Sequence, residues 1–122
     1  MTTQQIAERL VVLCREVKNL QAVDELYGPN IESVESQGDE TMPKVMNGIE
    51  AVRGKNIWYF DNHDIHSVRV DEPLVTDTHF CVRMSVDATL KPTGRRVSMS
   101  ELAVYEVEGG KIVREHFFYR MG

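Results

Sequence analysis

From Thr3 to about Lys18, the apolar residues Ile6, Leu10, Leu13, Cys14 and Val17 recur at helical spacing, with Thr2 or Thr3 available as a cap. That pattern predicts an amphipathic helix. After Asn19, suited to cap a new start, Leu20, Val23, Leu26 and Tyr27 form a second short stripe that Gly28-Pro29 ends. Ile31 and Val34 read as a short strand, and residues 37–47, with Gly38, Asp39, Pro43 and Asn47, as a polar loop. A third helix begins at Gly48 and sets Ile49, Val52, Asn56, Tyr59 and His63 on one side, with Trp58 and Phe60 flanking it. Beyond it the period becomes that of strands, over 64–72, 75–90, 95–108 and 111–121. Turn signals at Glu72-Pro73, Lys91 to Gly94 and Gly109-Gly110 join them. Short links imply antiparallel neighbours. Helices followed by a meander predict one α+β domain over residues 1–122, with the helices on one face of a curved sheet.

Composition narrows what such a domain does. With 42% hydrophobic and 27% charged residues, the 122-residue chain is of the ordinary globular kind. Apolar runs such as Leu10-Val11-Val12-Leu13 are far shorter than the roughly 20 residues a bilayer span needs. Met1-Thr2-Thr3-Gln4-Gln5 lacks the basic start and apolar core of a secretory signal, so a cytoplasmic protein with no membrane partner is expected. Nineteen acidic residues against fourteen basic ones, a net charge of -5, argue against a nucleic-acid partner. Cys14 and Cys81, far apart in apolar segments, read as small buried hydrophobes. The segment Asp61-Asn62-His63-Asp64-Ile65-His66 invites a metal reading, but no third His or Cys follows at ligand spacing, and no metal is expected. No nucleotide fingerprint, phosphate loop or nucleophile elbow is present, and no cofactor is expected.

Strand alternation then picks out the chemistry. Phe80, Val82, Met84 and Val86 point one way, toward the helices, while His79, Arg83, Ser85 and Asp87 point the other. Pairing Leu90 with Arg95 across the 91–94 turn sets Met84 opposite Glu101, so one carboxylate interrupts the covered row Val97, Met99, Glu101, Ala103, Tyr105, Val107. Burying an ionised carboxylate is costly, so such a group has a partner, a raised pKa, or a cavity. A three-residue loop at Glu108-Gly109-Gly110, with Val107 opposite Lys111, adds Val113, Glu115, Phe117 and Tyr119 to this face. A two-residue Gly109-Gly110 turn would bring in Ile112, Arg114, His116 and Phe118 instead. The first is favoured because it keeps the covered face apolar. It makes Glu101 and Glu115 diagonal neighbours within reach of shared proton chemistry. Either Glu, or Tyr105 or Tyr119, could equally be a structural group with a satisfied partner.

The order of elements, with Glu25-Leu26-Tyr27-Gly28, Gly48-Ile49-Glu50-Ala51-Val52 and above all Val104-Tyr105-Glu106-Val107-Glu108-Gly109-Gly110-Lys111-Ile112-Val113-Arg114-Glu115, resembles the SnoaL-like branch of the nuclear-transport-factor-like superfamily. So do Gly54-Lys55-Asn56, Asn62-His63, Ser67-Val68-Arg69-Val70 and Arg114-Glu115-x-Phe117-Phe118-Tyr119. The resemblance implies three N-terminal helices on a strongly curved, mostly antiparallel mixed sheet. That cone holds a deep pocket and often forms a homodimer. Its members include cofactor-free polyketide cyclases, ketosteroid isomerases and dehydratases as well as inert binding modules. The cyclases carry an acid on the last strand where this chain has Phe117, which argues against the cyclase reaction itself.

The expected pocket walls are Tyr27, Trp58, Tyr59, Phe80, Met84, Met99, Tyr105 and Phe117, and the candidate catalytic groups are Glu101, Glu115, Tyr119 and His63. The expected ligand is a small hydrophobic carbonyl compound, handled by acid/base chemistry of the isomerase, cyclase or lyase type. The alternative is a module that only binds a ligand or dimerises. A dimer would use the outer sheet face with Arg83, Arg114 and His116.

Overall fold

The computed structural model describes residues 1–38 and 42–120. Asp39 of the expected loop, and the end of the last expected strand beyond residue 120, lie outside the described residues. Helix α1 (Thr3–Arg15) starts on Thr2, whose hydroxyl accepts from the Gln5 amide while the Gln5 side chain accepts from the Thr2 amide, a reciprocal cap. Helix α2 (Asn19–Leu26) takes Lys18 as its cap residue and has no side-chain cap bond, so Asn19 is its first helical residue and not its cap. Strand β1 (Tyr27–Val34) follows with no intervening loop, carrying Tyr27 and Gly28-Pro29 into the sheet where a helix end was expected. The polar loop contains a short strand, β2 (Val45–Asn47), which pairs antiparallel with β1.

Gly48, at φ 93°, opens α3 (Ile49–Asn62), and the chain turns at His63 directly into β3 (His63–Val70). The expected 75–90 strand divides into β4 (Leu74–Val75) and β5 (His79–Leu90), and β4 folds back on β5. Strands β6 (Arg95–Glu108) and β7 (Lys111–Phe118) complete the order β2-β1-β7-β6-β5-β3. All neighbours are antiparallel except β1 and β7, which run parallel. This is the α+β arrangement expected, a mixed sheet under three helices. No helix among the described residues is long and apolar enough to cross a membrane.

Register decides which side chains meet. Leu90 faces Arg95 and Met84 faces Glu101, as the alternation of the two strands requires. At the next hairpin, Glu108 faces Lys111 and Val107 faces Ile112, so the turn is the two-residue Gly109-Gly110 form, with both glycines at positive φ. The favoured three-residue loop is therefore not the one adopted. Between Ile112 and Arg114 the register slips at Val113, a β-bulge, and Glu106 faces Arg114 while Tyr105 faces Glu115. The bulge reverses the parity change of the turn. Glu115 and Phe117 consequently face inward, as expected, but two residues displaced from the expected pairing.

The inner face grades from core to cavity along its strands. On β6, Ala103, Tyr105 and Val107 are buried under α1 and α2, whereas Val97, Met99 and Glu101 are only half-buried. The core joins Ile6, Leu10 and Leu13 of α1 and Val23 and Leu26 of α2 to Ile31, Phe80, Val82, Tyr105 and Ile112. Phe80 is 2% exposed, and its ring stacks on Tyr105 with centroids 4.7 Å apart. Phe80→Ala should cost about 3–5 kcal/mol in chemical denaturation. A loss below about 1 kcal/mol would mean that the ring is not part of the core.

Candidate functional site

Where the helices leave the sheet uncovered, a cavity of about 740 Å³ opens, within the size range of small-molecule sites. Its sheet wall is largely apolar, with Met84, Val86, Ala88, Val97 and Met99 among the lining residues, and its helical wall includes Leu10, Cys14, Val23, Asn56, Tyr59 and Phe60. Polar groups gather where β1, β7 and α3 meet. Glu115, 1% exposed, accepts a hydrogen bond from the Tyr27 hydroxyl on Oε2 and one from Ser33 Oγ on Oε1 at 2.8 Å. The parallel β1/β7 pairing places these groups together, since it sets Ser33 directly against Glu115. Lys55 reaches in from α3, donating from Nζ to Ser33 Oγ at 2.6 Å and to Glu35 Oε1 at 2.9 Å. The same Nζ lies 3.6 Å from Glu115 Oε1 and 5.0 Å from the centre of the Phe117 ring. Glu115 is thus fully partnered.

Glu101 differs. It lines the cavity on β6, two residues from the buried core, and has no side-chain hydrogen bond among the described residues. Burial, with the Glu35 carboxylate as the next cause, pushes its carboxyl up to about 7, against a smaller downward pull from Lys55. The Tyr59 phenol is raised by burial and then by Glu101. Burial and the neighbouring Glu35 push Tyr119 up to about 12. Ser36 holds Tyr119 in place, its Oγ accepting from the Tyr119 amide at 2.9 Å and donating to the Phe117 carbonyl at 2.7 Å.

A sequence model of the SnoaL-like domain matches residues 1–119. The chain belongs to the SnoaL-like family. No curated protein matches it. Among solved structures, a Mesorhizobium loti protein to which the functions of a SnoaL-like polyketide cyclase and of a carbohydrate phosphatase are ascribed is 35% identical, with 98% of this chain and 100% of that one covered at a TM-score of 0.90. A Bacillus subtilis protein assigned as an isomerase is 19% identical, with 97% and 86% covered and a TM-score of 0.76. A Burkholderia thailandensis NTF2-like protein is 18% identical, with 98% and 92% covered and a TM-score of 0.79. The last two likenesses concern the fold alone.

In this SnoaL-like chain the cavity gathers Glu101, Glu115, Tyr119 and His63, together with Tyr27, Trp58, Tyr59, Met84, Met99, Tyr105 and Phe117. Phe80 is the exception: it packs behind Tyr105 in the core and does not line the cavity. Glu101 and Glu115 are not diagonal neighbours either. The pairing of Tyr105 with Glu115 puts Glu101 four residues further along β6, about 13 Å by strand rise, beside Tyr119.

His63 donates from Nδ1 to the Tyr59 carbonyl at 2.8 Å and stacks on the Tyr59 ring at 4.1 Å, so it positions that phenol. His66 turns away to Thr89, 2.7 Å from its hydroxyl, so the two histidines do not converge. Among the described residues, no three His, Cys, Asp or Glu side chains gather as metal ligands. The Cys14 thiol, pushed up to about 12 chiefly by burial, stays protonated.

Ser33, Glu35 and Lys55 were not singled out from the sequence. Their signals are the inward alternation Ile31, Ser33, Glu35, and the i, i+4 spacing of Lys55 and Tyr59. Glu101 supplies a pH test with a defined sign. Its folded-state pKa lies above the ordinary 4.5, so ionising it costs the folded state stability as pH rises from about 4.5 to about 7. Glu101→Gln should match wild type near pH 4 and become more stable above pH 7, by up to about 3 kcal/mol, in denaturation curves. An equal difference at both pH values would remove the basis for a desolvated carboxyl.

Proposed function

We propose that the cavity takes a small hydrophobic carbonyl compound and that Glu101 moves a proton on the carbon beside its carbonyl, in a cofactor-free reaction of the isomerase, cyclase or lyase type. The observation that carries this reading is an unpartnered carboxyl on the wall of a largely apolar cavity, held near neutrality by burial. Such a group both accepts and returns a proton near pH 7. In the forward step the C–H proton passes to the Glu101 carboxylate and the electron pair moves onto the carbonyl oxygen. Tyr59, whose raised phenol remains protonated, is the donor available to that oxygen, whereas the Tyr119 hydroxyl is already hydrogen-bonded to Glu35.

Glu115 takes no part as a base, because Tyr27, Ser33 and Lys55 already occupy its oxygens. Phe117 faces Ala103, which makes Glu101 its diagonal neighbour on β6. A carboxyl from the adjacent strand therefore stands close to where the polyketide cyclases carry their acid. Of the two functions ascribed to the 35% identical Mesorhizobium loti relative, polyketide cyclase and carbohydrate phosphatase, the first is the one that agrees with carbonyl chemistry of this kind.

The test is a carboxyl-observed NMR titration of Glu101 with and without a pool of small hydrophobic carbonyl compounds. Glu101 should titrate near 7 and shift on ligand addition. Titration at the ordinary glutamate value of about 4.5, indifferent to ligands, would sink the assignment.

The same proposal includes a homodimer through the outer sheet face. Phe118 and Leu102, register partners on that face, are 47% and 42% exposed, and the His116 ring stacks on Phe118 at 4.1 Å. Arg114 is already paired with Glu32 at 2.8 Å and Arg83 with Asp71 at 2.7 Å, so the apolar pair is the better centre for an interface and the arginines its rim. Wild type should elute as a dimer in gel filtration and Phe118→Glu as a monomer. A monomeric wild type, or a dimeric variant, refutes this interface.

A further inference from the structure

The cavity has an electrical direction. Arg95, Val97, Met99 and Glu101 alternate along one side of β6 and all four line the cavity, forming a row with a cation at one end, a carboxyl at the other and two apolar side chains between. One residue on, Arg96 points to the opposite face and closes a two-pronged ion pair with Asp87 at 2.8 and 2.9 Å. Arg9, Arg15, Arg53, Arg69, Arg83 and Arg114 are likewise each paired with a carboxylate. Arg95, by contrast, makes no side-chain ion pair or hydrogen bond among the described residues, although the chain carries a net charge of -5 and offers many acidic partners. At the far end, Glu35, Glu101 and Glu115 surround the single cation Lys55, which is already bonded to Glu35 and Ser33.

We infer that the ligand is an elongated carboxylic acid whose carboxylate is held by Arg95 at the cavity mouth, whose apolar body lies along Val97 and Met99, and whose carbonyl reaches Glu101. The inference rests on the acid/base reading above and adds the class and polarity of the substrate. An anion is repelled from the deep end, where three carboxyls outnumber one amine, and attracted at the rim, where a guanidinium presents a bidentate fork. Arg95 and Glu101 stand six residues apart on one face of β6, about 20 Å along the strand, a span that a decanoate-length chain and the length of the arginine side chain cover together.

The experiment is calorimetric titration of two probes: decanoate bearing a terminal methyl ketone, and the methyl ketone of equal chain length without the carboxylate. Wild type, Arg95→Gln and Arg95→Glu would be compared. Wild type should bind the keto acid about fivefold more tightly than the plain ketone, an advantage that shrinks as salt is raised. Arg95→Gln should abolish the preference and Arg95→Glu reverse it, with the affinity for the plain ketone unchanged. Both variants lie at an exposed hairpin position and should keep the wild-type circular dichroism. Equal affinities in wild type, or a keto acid indifferent to Arg95→Glu, overturns the anchor while leaving the acid/base pocket standing. A loss of keto-acid binding in Lys55→Met with Arg95→Glu silent puts the carboxylate at the wrong end and also overturns it. Failure of a folded wild type to bind either probe overturns the pocket reading and the inference with it.

Discussion

The site depends on one buried carboxylate. Glu115 is withdrawn almost completely from water, and a carboxylate in that position persists only if its oxygens are satisfied. Three parts of the chain meet that demand: Tyr27 and Ser33 from β1, and Lys55 from α3. Each contact is long-range in sequence, so the group fixes the parallel docking of β1 on β7 and the depth of α3 at once. Removing one partner of such a buried network leaves a charge uncompensated, typically at a cost of about 3–5 kcal/mol. Glu115 is better understood as the fastening of the cavity's closed end than as its chemistry.

That fastening explains why the second carboxyl is free. Lys55 is the cation nearest both glutamates, and its bonds go to Ser33 and Glu35 with Glu115 close by. What remains for Glu101 is a weak downward pull, exceeded by burial and by the like charge of Glu35. Two carboxyls on one sheet face thereby come to opposite conditions, one fully hydrogen-bonded and one desolvated without a partner. Divergent environments of this kind separate structural acids from reactive ones. The separation follows from the four-residue offset along β6, because a Glu101 two residues closer would share the amine and lose its difference.

Much of the fold was legible in the sequence because its signals are local. The β5/β6 hairpin register followed from strict alternation and one turn, and the face occupied by Glu101 followed from that register. The helix stripes likewise marked the core side chains of α1 and α2. What escaped reading was non-local or compensated. The Val113 bulge cancels the parity change of the Gly109-Gly110 turn, so the inward face of β7 was identified by way of a turn that does not exist. The β1/β7 pairing joins the two ends of the chain with no turn between them to signal it, which hid the roles of Ser33 and Lys55. Phe80 looked like a cavity wall because alternation reports the face of a sheet and not how far along it the helices extend.

In a sheet whose inner face is covered at one end only, position along the strand determines what an inward residue does. On β6 the sequence of inward residues from Val107 to Arg95 passes from sealed core, through a desolvated acid, to an apolar wall and then to a rim cation. Moving any of these by two residues keeps the face and changes the environment, which is why fold similarity at 18 or 19% identity says nothing about chemistry here. The chemical character of the site resides in the order of four side chains along one strand, Arg95, Val97, Met99 and Glu101, read against the point at which the helices stop covering it.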